Sequence, residues 1–215
     1  MDKSILTMTE QFVRNELGED ATGHDWFHIE RVRRNALYIC KTENKGDAFI
    51  IEMAALLHDI SDEKLNESAE QGDEKLSAFL KSVDMAEEIK HHIKSIIDSI
   101  SFKGGRIMEL ESTEAKIVQD ADRLDAIGAI GIARAFAYGG KKGQQIFDPG
   151  LIFREKMTTE EYRKGKSTSI NHFYEKLLKL KDLMNTETAK LMAEERHHTM
   201  ELFLEQFYKE WNGQA

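Results

Sequence analysis

The sequence predicts an all-α protein, and three observations lead to that prediction. Pro149 is the single proline among 215 residues, and proline both breaks helices and populates turns. Apolar residues recur at the three- and four-residue spacings of amphipathic helices, and the alternating patterns typical of strands are lacking. Because there is neither an internal repeat nor a low-complexity segment, we expect one helical domain over residues 1–215, with its core at about 20–138.

Two amphipathic patterns open the chain. The first is expected to end at Gly18, because glycine commonly stops a helix, and the second is expected to begin near Asp25. The apolar stripes are Ile5, Met8, Phe12 and Leu17 in the first helix, and Ile29, Val32, Ala36, Ile39 and Cys40 in the second.

The segment 49–57 is apolar almost all round, which predicts a buried central helix. Two helices with narrower stripes follow it, and then a long helix from about Thr113 to Tyr138. Small residues in the second half of that helix would let a neighbouring helix approach closely. The two narrower stripes are Leu76, Phe79, Leu80 and Val83, and Ile89, Ile93, Ile96, Ile97 and Ile100.

The C-terminal third begins with a glycine-rich turn and an irregular region at about 139–168. Two helices are expected after it, one from Ile170 to Met184 and one from Thr186 to Trp211. These C-terminal helices, at 169–211, should pack on the core. Apolar residues on the final helix are compatible with a homodimer.

The net charge narrows the classes of partner that this chain could bind. The chain has 30 Lys and Arg against 39 Asp and Glu, for a net charge of −9. This balance disfavours a general nucleic-acid binder, which gains affinity by neutralising phosphates with basic side chains. A small phosphorylated ligand needs only a local positive site, so it stays compatible with the composition.

Cysteine content and the N-terminus bear on compartment. Cys40 is the single cysteine, so an internal disulfide and a cysteine-cluster metal site are excluded, and its apolar neighbours predict a buried structural thiol. Residues 1–4 lead into an amphipathic segment rather than a signal peptide, and no run approaches the ~18 apolar residues of a membrane span. We therefore expect a cytoplasmic protein with no membrane partner.

Three places in the sequence put ionisable residues on apolar faces. His58 and Asp59 come where the buried helix ends, His28 shares a face with Val32, and Asp122 is spaced to point inward on its helix. Two of them have a structural interpretation, the His-Asp pair as a helix cap and turn and His28 as a satisfied core histidine, whereas an inward aspartate such as Asp122 needs a compensating cation. Together, two imidazoles and two carboxylates suit a divalent ion such as Mn²⁺, Fe²⁺, Co²⁺ or Zn²⁺, with positions left for water and substrate.

The order His…His-Asp…Asp on separate helices resembles the HD-domain metal-dependent phosphohydrolases. Five blocks of sequence are similar to the bacterial stand-alone branch of that family, and the resemblance covers about residues 20–211. These blocks are His24–Val32, Ala54–Ile60, Ile100–Gly105, Asp120–Ala129 and Ser169–Leu177.

The resemblance implies a ligand set and a cofactor. It implies that His28, His58, Asp59 and Asp122 hold a divalent metal ion, with Asp122 preferred to Asp120 because the family ligand directly precedes Arg-Leu. We expect Mn²⁺ first, with Co²⁺, Fe²⁺, Zn²⁺, Mg²⁺ and Ni²⁺ as alternatives.

The chain departs from some relatives at one position. Those relatives have a further histidine just before Ser-Phe, where this chain has Ile100, and the change weakens the case for a second metal. His91 and His92 are potential substitutes. His92 lies on the inward stripe of its helix, where a packing role and a substrate-binding role are both open.

Catalytic and substrate-binding roles are assigned to loop residues. Asp62, one turn after Asp59, is our candidate base for an attacking water, although a solvated loop acid is the alternative. Lys64, Lys103 and Lys141 stand in loops and are expected to bind the phosphates. Arg106, Lys142 and the backbone amides of Gly139–Gly143 are further candidates, and a solvated surface loop is the simpler explanation for that glycine-rich turn.

The branch that this sequence resembles includes nucleoside-triphosphate pyrophosphohydrolases. We therefore expect a metal-dependent phosphohydrolase that converts (deoxy)nucleoside triphosphates to monophosphate and pyrophosphate. The alternatives are a 5′-nucleotidase, a guanosine-tetraphosphate 3′-pyrophosphohydrolase, a cyclic-nucleotide phosphodiesterase, or a nucleotide-sensing module without turnover.

Overall fold

The computed structural model describes residues 2–17, 25–62, 65–100, 110–154 and 165–214, and within these ranges the chain is helical without strands. The all-α prediction is confirmed. The elements are α1 Asp2–Leu17, α2 Trp26–Glu43, α3 Ala48–Leu57, α4 Ala69–Ser82, α5 Glu87–Ile100, α6 Thr113–Asp125, α7 Gly128–Lys141, α8 Ser169–Glu175, a 3₁₀ helix Leu177–Leu183, and α9 Glu187–Trp211.

The chain forms two compact units, Met1–Ala121 and Asp122–Ala215, and the boundary falls within α6. The single domain expected over 1–215 stays a prediction. None of the described helices is long and apolar enough to cross a membrane.

The core of the first unit is built around α3, which packs against α1, α2 and α5. This is the apolar segment that the sequence predicts to be buried, and its side chains from Met53 to Leu57 have no exposed surface. The one charged residue of α3, Glu52, pairs with Arg33, as expected because a buried polar group needs a partner. The residues that end α3 therefore emerge directly from the core.

Both helices that carry the predicted ligands of the first unit have well-defined ends. The side chain of Asp25 caps α2 by accepting a hydrogen bond from the backbone N–H of His28 at 2.9 Å. The carboxylate of Asp47 caps α3, accepting from the backbone N–H groups of Phe49 and Ile50 at 2.9 and 3.1 Å. Such caps satisfy N–H groups that have no partner within the helix, so they fix where each helix begins.

A charged cluster holds α2 against its neighbours. The guanidinium of Arg33 on α2 donates to Glu10 of α1 at 2.8 Å and also contacts Glu52 of α3. One side chain thereby joins three helices of the first unit. The contact fixes the rotation of α2, and with it the direction in which His28 points.

Cys40 is the buried thiol that the sequence predicts, with 8% of its surface exposed. Burial raises the pKa of this thiol, and the negative charges of Asp47 and Glu114 raise it further. Because the thiolate is the reactive form, these surroundings favour a structural role.

The second unit is held together by α9, which packs on α7 and on the 3₁₀ helix. Aromatic rings lie in the contact with α7, where Phe203 of α9 meets Phe136 edge-to-face with centroids 5.8 Å apart. The ring of Phe203 also stacks on Phe173 of α8, with centroids 5.7 Å apart.

Two predicted helices are each divided in the structure. The expected helix from Thr113 to Tyr138 ends at Asp125, and a new helix begins at Gly128, whose φ of 75° is left-handed. The expected helix from Ile170 to Met184 is α-helical only to Glu175 and then continues as a 3₁₀ helix, because the backbone at Lys176 is not helical (φ −139°, ψ −58°).

Candidate metal centre

His58 and Asp59 lie directly after the last residue of α3. The ring of His58 is buried, and its Nδ1 lies 2.8 Å from the carbonyl oxygen of Ala55. A carbonyl oxygen can only accept a hydrogen bond, so Nδ1 carries the proton and the lone pair of the neutral ring is on Nε2. This hydrogen bond also fixes the ring orientation, as is usual for histidines that bind metal ions.

His28 approaches the same point from the first turn of α2. Its side chain is 2% exposed, and its Nε2 lies 3.4 Å from Oδ2 of Asp59. The other carboxylate oxygen of Asp59, Oδ1, lies 3.3 Å from Nε2 of His58. One carboxylate therefore faces both imidazoles, whose ring centroids are 5.3 Å apart at an interplanar angle of 64°.

The spacing of this three-residue group fits a single metal ion. One nitrogen or oxygen atom from each residue lies within 4.8 Å of the others. Two ligands at about 2.1 Å from one ion lie roughly 3.0 to 3.4 Å apart in octahedral or tetrahedral geometry, and the two measured distances agree with that range. Two imidazole nitrogens and a carboxylate are donors that suit Mn²⁺, Fe²⁺, Co²⁺ and Zn²⁺.

The position at the end of α3 adds electrostatic attraction for a cation. The last carbonyl groups of a helix have no partner within it and carry partial negative charge. Since His58 and Asp59 follow Leu57, an ion held between them would lie near those carbonyl groups. The apolar residues of α3 behind them limit the access of water.

Asp122 lies on α6, is half-buried, and is the first residue of the second unit. It is not part of the three-residue group, so its assignment as the fourth ligand stays a prediction. Asp120, which the sequence argument ranks below it, is the more deeply buried of the two, with no exposed surface.

The other predicted site residues lie at several places. Asp62 is one turn beyond Asp59, with its backbone N–H donating to the Asp59 carbonyl at 3.0 Å. His92 on α5 is half-buried rather than inside the core, and its Nε2 lies 3.6 Å from Oε2 of Glu114. Lys141 is the exposed last residue of α7. Lys64 and Lys103 lie outside the described residues, as do Arg106, Gly18 and the segment 101–105.

Asn66 is a residue near the site that the sequence analysis did not identify. Its side-chain Nδ2 donates to the carbonyl oxygens of Ile60 and Asp62, each at 2.9 Å. The signal in the sequence was weak, because an asparagine after a helix end is an ordinary turn residue. Its partners are backbone atoms, which no pattern of side chains reveals.

Comparisons with known proteins identify the family. The model of the HD domain matches residues 26–127, a range that contains all four predicted metal ligands. A crystal structure of an HD-superfamily hydrolase from Bacillus thuringiensis is 50% identical, covers 99% of both chains, and has a TM-score of 0.79. This chain belongs to the HD domain family. HD domains bind divalent metal ions, and His28, His58 and Asp59 form a group with the donor atoms and spacing to hold one.

Two further proteins are similar to this chain over nearly their whole length. A crystal structure from Lactobacillus plantarum is 40% identical, covers 98% of both chains, and has a TM-score of 0.85. The uncharacterized protein YpgQ from Bacillus subtilis is 40% identical over 204 residues, which is 94% of this chain and 91% of YpgQ. YpgQ has been crystallised in complex with ADP, in a structure with a TM-score of 0.76 to this chain.

Proposed function

We propose that this protein is a metal-dependent phosphohydrolase that acts on nucleotides, converting (deoxy)nucleoside triphosphates to the monophosphate and pyrophosphate. The observation that carries the proposal is the buried group of His28, His58 and Asp59, whose nitrogen and oxygen atoms converge on one point. Membership of the HD domain family supports hydrolysis, and the binding of ADP by YpgQ supports a nucleotide ligand.

His28, His58 and Asp59 hold the divalent ion in this proposal, and Asp122 is the fourth ligand. A bound divalent ion supplies Lewis-acid polarisation of a phosphoryl oxygen and lowers the pKa of a water. We propose Mn²⁺ as the preferred ion. The hydrogen bond from His58 to Ala55 keeps the ring in the tautomer that binding requires.

Asp62 is the proposed base. Its backbone N–H donates a hydrogen bond to the carbonyl oxygen of Asp59, so Asp62 lies one turn beyond a proposed metal ligand. Water attacks the α-phosphorus, its proton passes to Asp62, and the bond to the bridging oxygen breaks. The hydroxyl oxygen stays on the monophosphate, and pyrophosphate leaves with the bridging oxygen.

Lys64, His92, Lys103 and Lys141 are the proposed phosphate-binding residues. On a chain with a net charge of −9, a triphosphate needs local positive charge to approach the site. The metal ion and a few lysines would supply that charge.

A panel of nucleotides assayed with Mn²⁺, Co²⁺ and Mg²⁺, and with a chelator, tests the proposal. We expect metal-dependent release of pyrophosphate from a deoxynucleoside triphosphate. Inorganic phosphate from a monophosphate would indicate a 5′-nucleotidase, pyrophosphate from guanosine tetraphosphate the 3′-pyrophosphohydrolase, and a linear nucleotide the phosphodiesterase. A rise in melting temperature with nucleotide but without any product would indicate a sensing module and contradict the proposal.

A further inference from the structure

Two hydrogen bonds from the side-chain amide of Asn66, here called the brace, hold together the turn that follows the proposed metal ligands. Nδ2 of Asn66 donates to the carbonyl oxygens of Ile60 and Asp62, each at 2.9 Å. An amide nitrogen has two N–H groups, so both are used on the backbone of this turn. Asn66 thereby joins the residue that follows Asp59 to the proposed base.

Local backbone hydrogen bonds also hold this turn. They join Ile60 N–H to Leu57 at 3.1 Å, Asp62 N–H to Asp59 at 3.0 Å, and Leu65 N–H to Asp62 at 3.0 Å. The carbonyl of Asp62 therefore accepts from both Leu65 and Asn66. The Asn66 amide adds a side-chain link between the backbone at Ile60 and the backbone at Asp62.

Helix α4 packs closely against the side-chain amide of Asn66. Gly72 is buried in the first turn of α4, and a Cβ atom there would lie 2.9 Å from Nδ2 of Asn66 and 2.9 Å from the backbone of Ser61. The side chain of Ser68 caps α4 by accepting from the backbone N–H of Gln71 at 3.2 Å, which fixes where α4 begins. Glycine at position 72 lets α4 lie directly on the turn and bury the amide.

We propose that Asn66 is a positioning residue that sets the place of Asp62 relative to Asp59, and so sets the rate of hydrolysis without binding the metal ion. The inference rests on the proposed function for its effect on turnover. Loss of the brace would let the Asp62 carboxylate move, and displacement of a reacting group by about 1 Å can lower a rate on the order of 100-fold. The proposed ligands should keep their places, because His28 lies on α2, the ring of His58 bonds to Ala55 of α3, and Asp59 faces both imidazoles.

Two substitutions separate hydrogen bonding from packing. Asn66→Asp keeps the shape of the side chain but replaces the donor by a carboxylate oxygen that faces two carbonyl oxygens. Asn66→Ala removes both shape and donor without adding repulsion. If donation is what matters, kcat should fall at least about tenfold for Asn66→Ala and further for Asn66→Asp. A packing role predicts the reverse order, with Asn66→Asp close to wild type.

Three further measurements accompany kcat. We expect KM and the dissociation constant of Mn²⁺ to stay within about threefold of wild type, and backbone hydrogen exchange to rise in the peptide that contains residues 58–66. The matched control is Asp47→Ala, which removes a cap at the opposite end of α3. It should lower thermal stability by a similar amount and leave both kcat and exchange at 58–66 unchanged.

Wild-type kcat and faster exchange confined to α4 in Asn66→Asp would overturn the proposal. If wild type shows no turnover, the proposed function fails, and unchanged exchange at 58–66 in the variants would separately refute the brace. If Asn66→Asp does not fold, Asn66→Ser, which keeps one donor, must show a kcat between those of Asn66→Ala and wild type.

Discussion

His28, His58 and Asp59 are polar side chains at the edge of an apolar core, and each depends on its neighbours to be there. An imidazole or carboxylate without partners costs several kcal/mol to bury, on the order of 2 to 7 for a polar group. Here Asp59 faces both rings, and the Ala55 carbonyl accepts from His58. The arrangement brings one nitrogen or oxygen atom from each residue within 4.8 Å of the others, which is a spacing that one divalent cation can bridge.

His172 on α8 gives a residue-scale prediction about acid stability. Burial, aided by the positive charge of Lys176 and opposed by the negative charge of Glu175, lowers the pKa of His172 from 6.5 to about 4. Because the folded-state pKa lies below the unfolded-state value, the unfolded chain binds the proton first. The stabilising contribution of neutral His172 is therefore complete above pH 6.5 and is lost as the pH falls towards 4.

Urea unfolding of wild type and His172→Gln at pH 7 and pH 5 measures this contribution. We expect wild type to lose about 2 kcal/mol more than the variant over that interval. The same pH dependence in both proteins would contradict the assignment. Glu175 beside it is not the source, since burial raises its pKa but hydrogen bonds from Arg154 and Ser167 outweigh that effect and lower it.

Residues in the site differ in how well the sequence predicts them. Helical periodicity places His28 and the pair His58-Asp59 beside apolar faces, and the resemblance to the HD-domain phosphohydrolases implies that they are metal ligands. Neither signal identifies Asn66, whose partners are the backbone carbonyls of Ile60 and Asp62, or Gly72, whose closeness to the turn depends on the packing of α4. The motif that favours Asp122 over Asp120 as a ligand carries no information about burial, so it does not predict that Asp120 is completely buried.

At the scale of elements, the break between α6 and α7 is the clearest difference from the sequence prediction. Ile127 has an extended backbone, Gly128 has a φ of 75°, and a Cβ at Gly128 would lie 2.9 Å from the side chain of Arg196. Periodicity carries through a break of two residues, so the pattern predicts one continuous helix. Only a left-handed glycine with close tertiary contact reveals the junction.

Glycine-to-alanine substitutions at two positions of α7 should have opposite effects. Gly128→Ala should lower the free energy of unfolding by about 1 to 3 kcal/mol, because alanine is strained at that φ and meets Arg196. Gly140→Ala should raise it by about 0.5 kcal/mol, because its Cβ meets nothing within 4 Å and alanine is the better helix former. Denaturant unfolding of both variants checks this, and equal effects would show that the junction is not strained against side chains.

The capped ends of α2 and α3 are predictable in kind. Asp25 and Asp47 are residue types that commonly cap helices, and both do so here. The change from α-helix to 3₁₀ helix at Lys176 had no comparable signal, because the apolar spacing of the segment suits either form.

At the scale of the whole molecule, the net charge of −9 includes acidic residues that have specific places in the structure. Some of the acidic residues, Asp59 first, are proposed ligands whose charge a bound cation offsets. Others pair with basic residues inside one unit, as Glu10 and Glu52 do with Arg33. The excess of acidic residues argues against long nucleic acids as partners. A nucleotide needs positive charge only at its own site, which a metal ion and a few lysines would supply.

The all-α class and the buried α3 could be predicted from the sequence because they depend on composition and periodicity. The division into two compact units could not, because it depends on which helices pack together over long sequence distances. The sequence predicts the site in part. Motifs identify the proposed ligands in the first unit, but they do not predict the backbone turn that holds Asp62.

The content of metal ion per chain is the measurement that tests the central claim most directly. Wild type and His28→Ala would each be loaded with Mn²⁺, desalted and assayed by elemental analysis, with His198→Ala, at an exposed histidine of α9, as the matched control and circular dichroism to verify helicity. We expect about one ion per chain in wild type and in His198→Ala, and essentially none in a fully helical His28→Ala. An ion retained by His28→Ala, or no ion in wild type, would contradict the assignment of the His28, His58 and Asp59 centre.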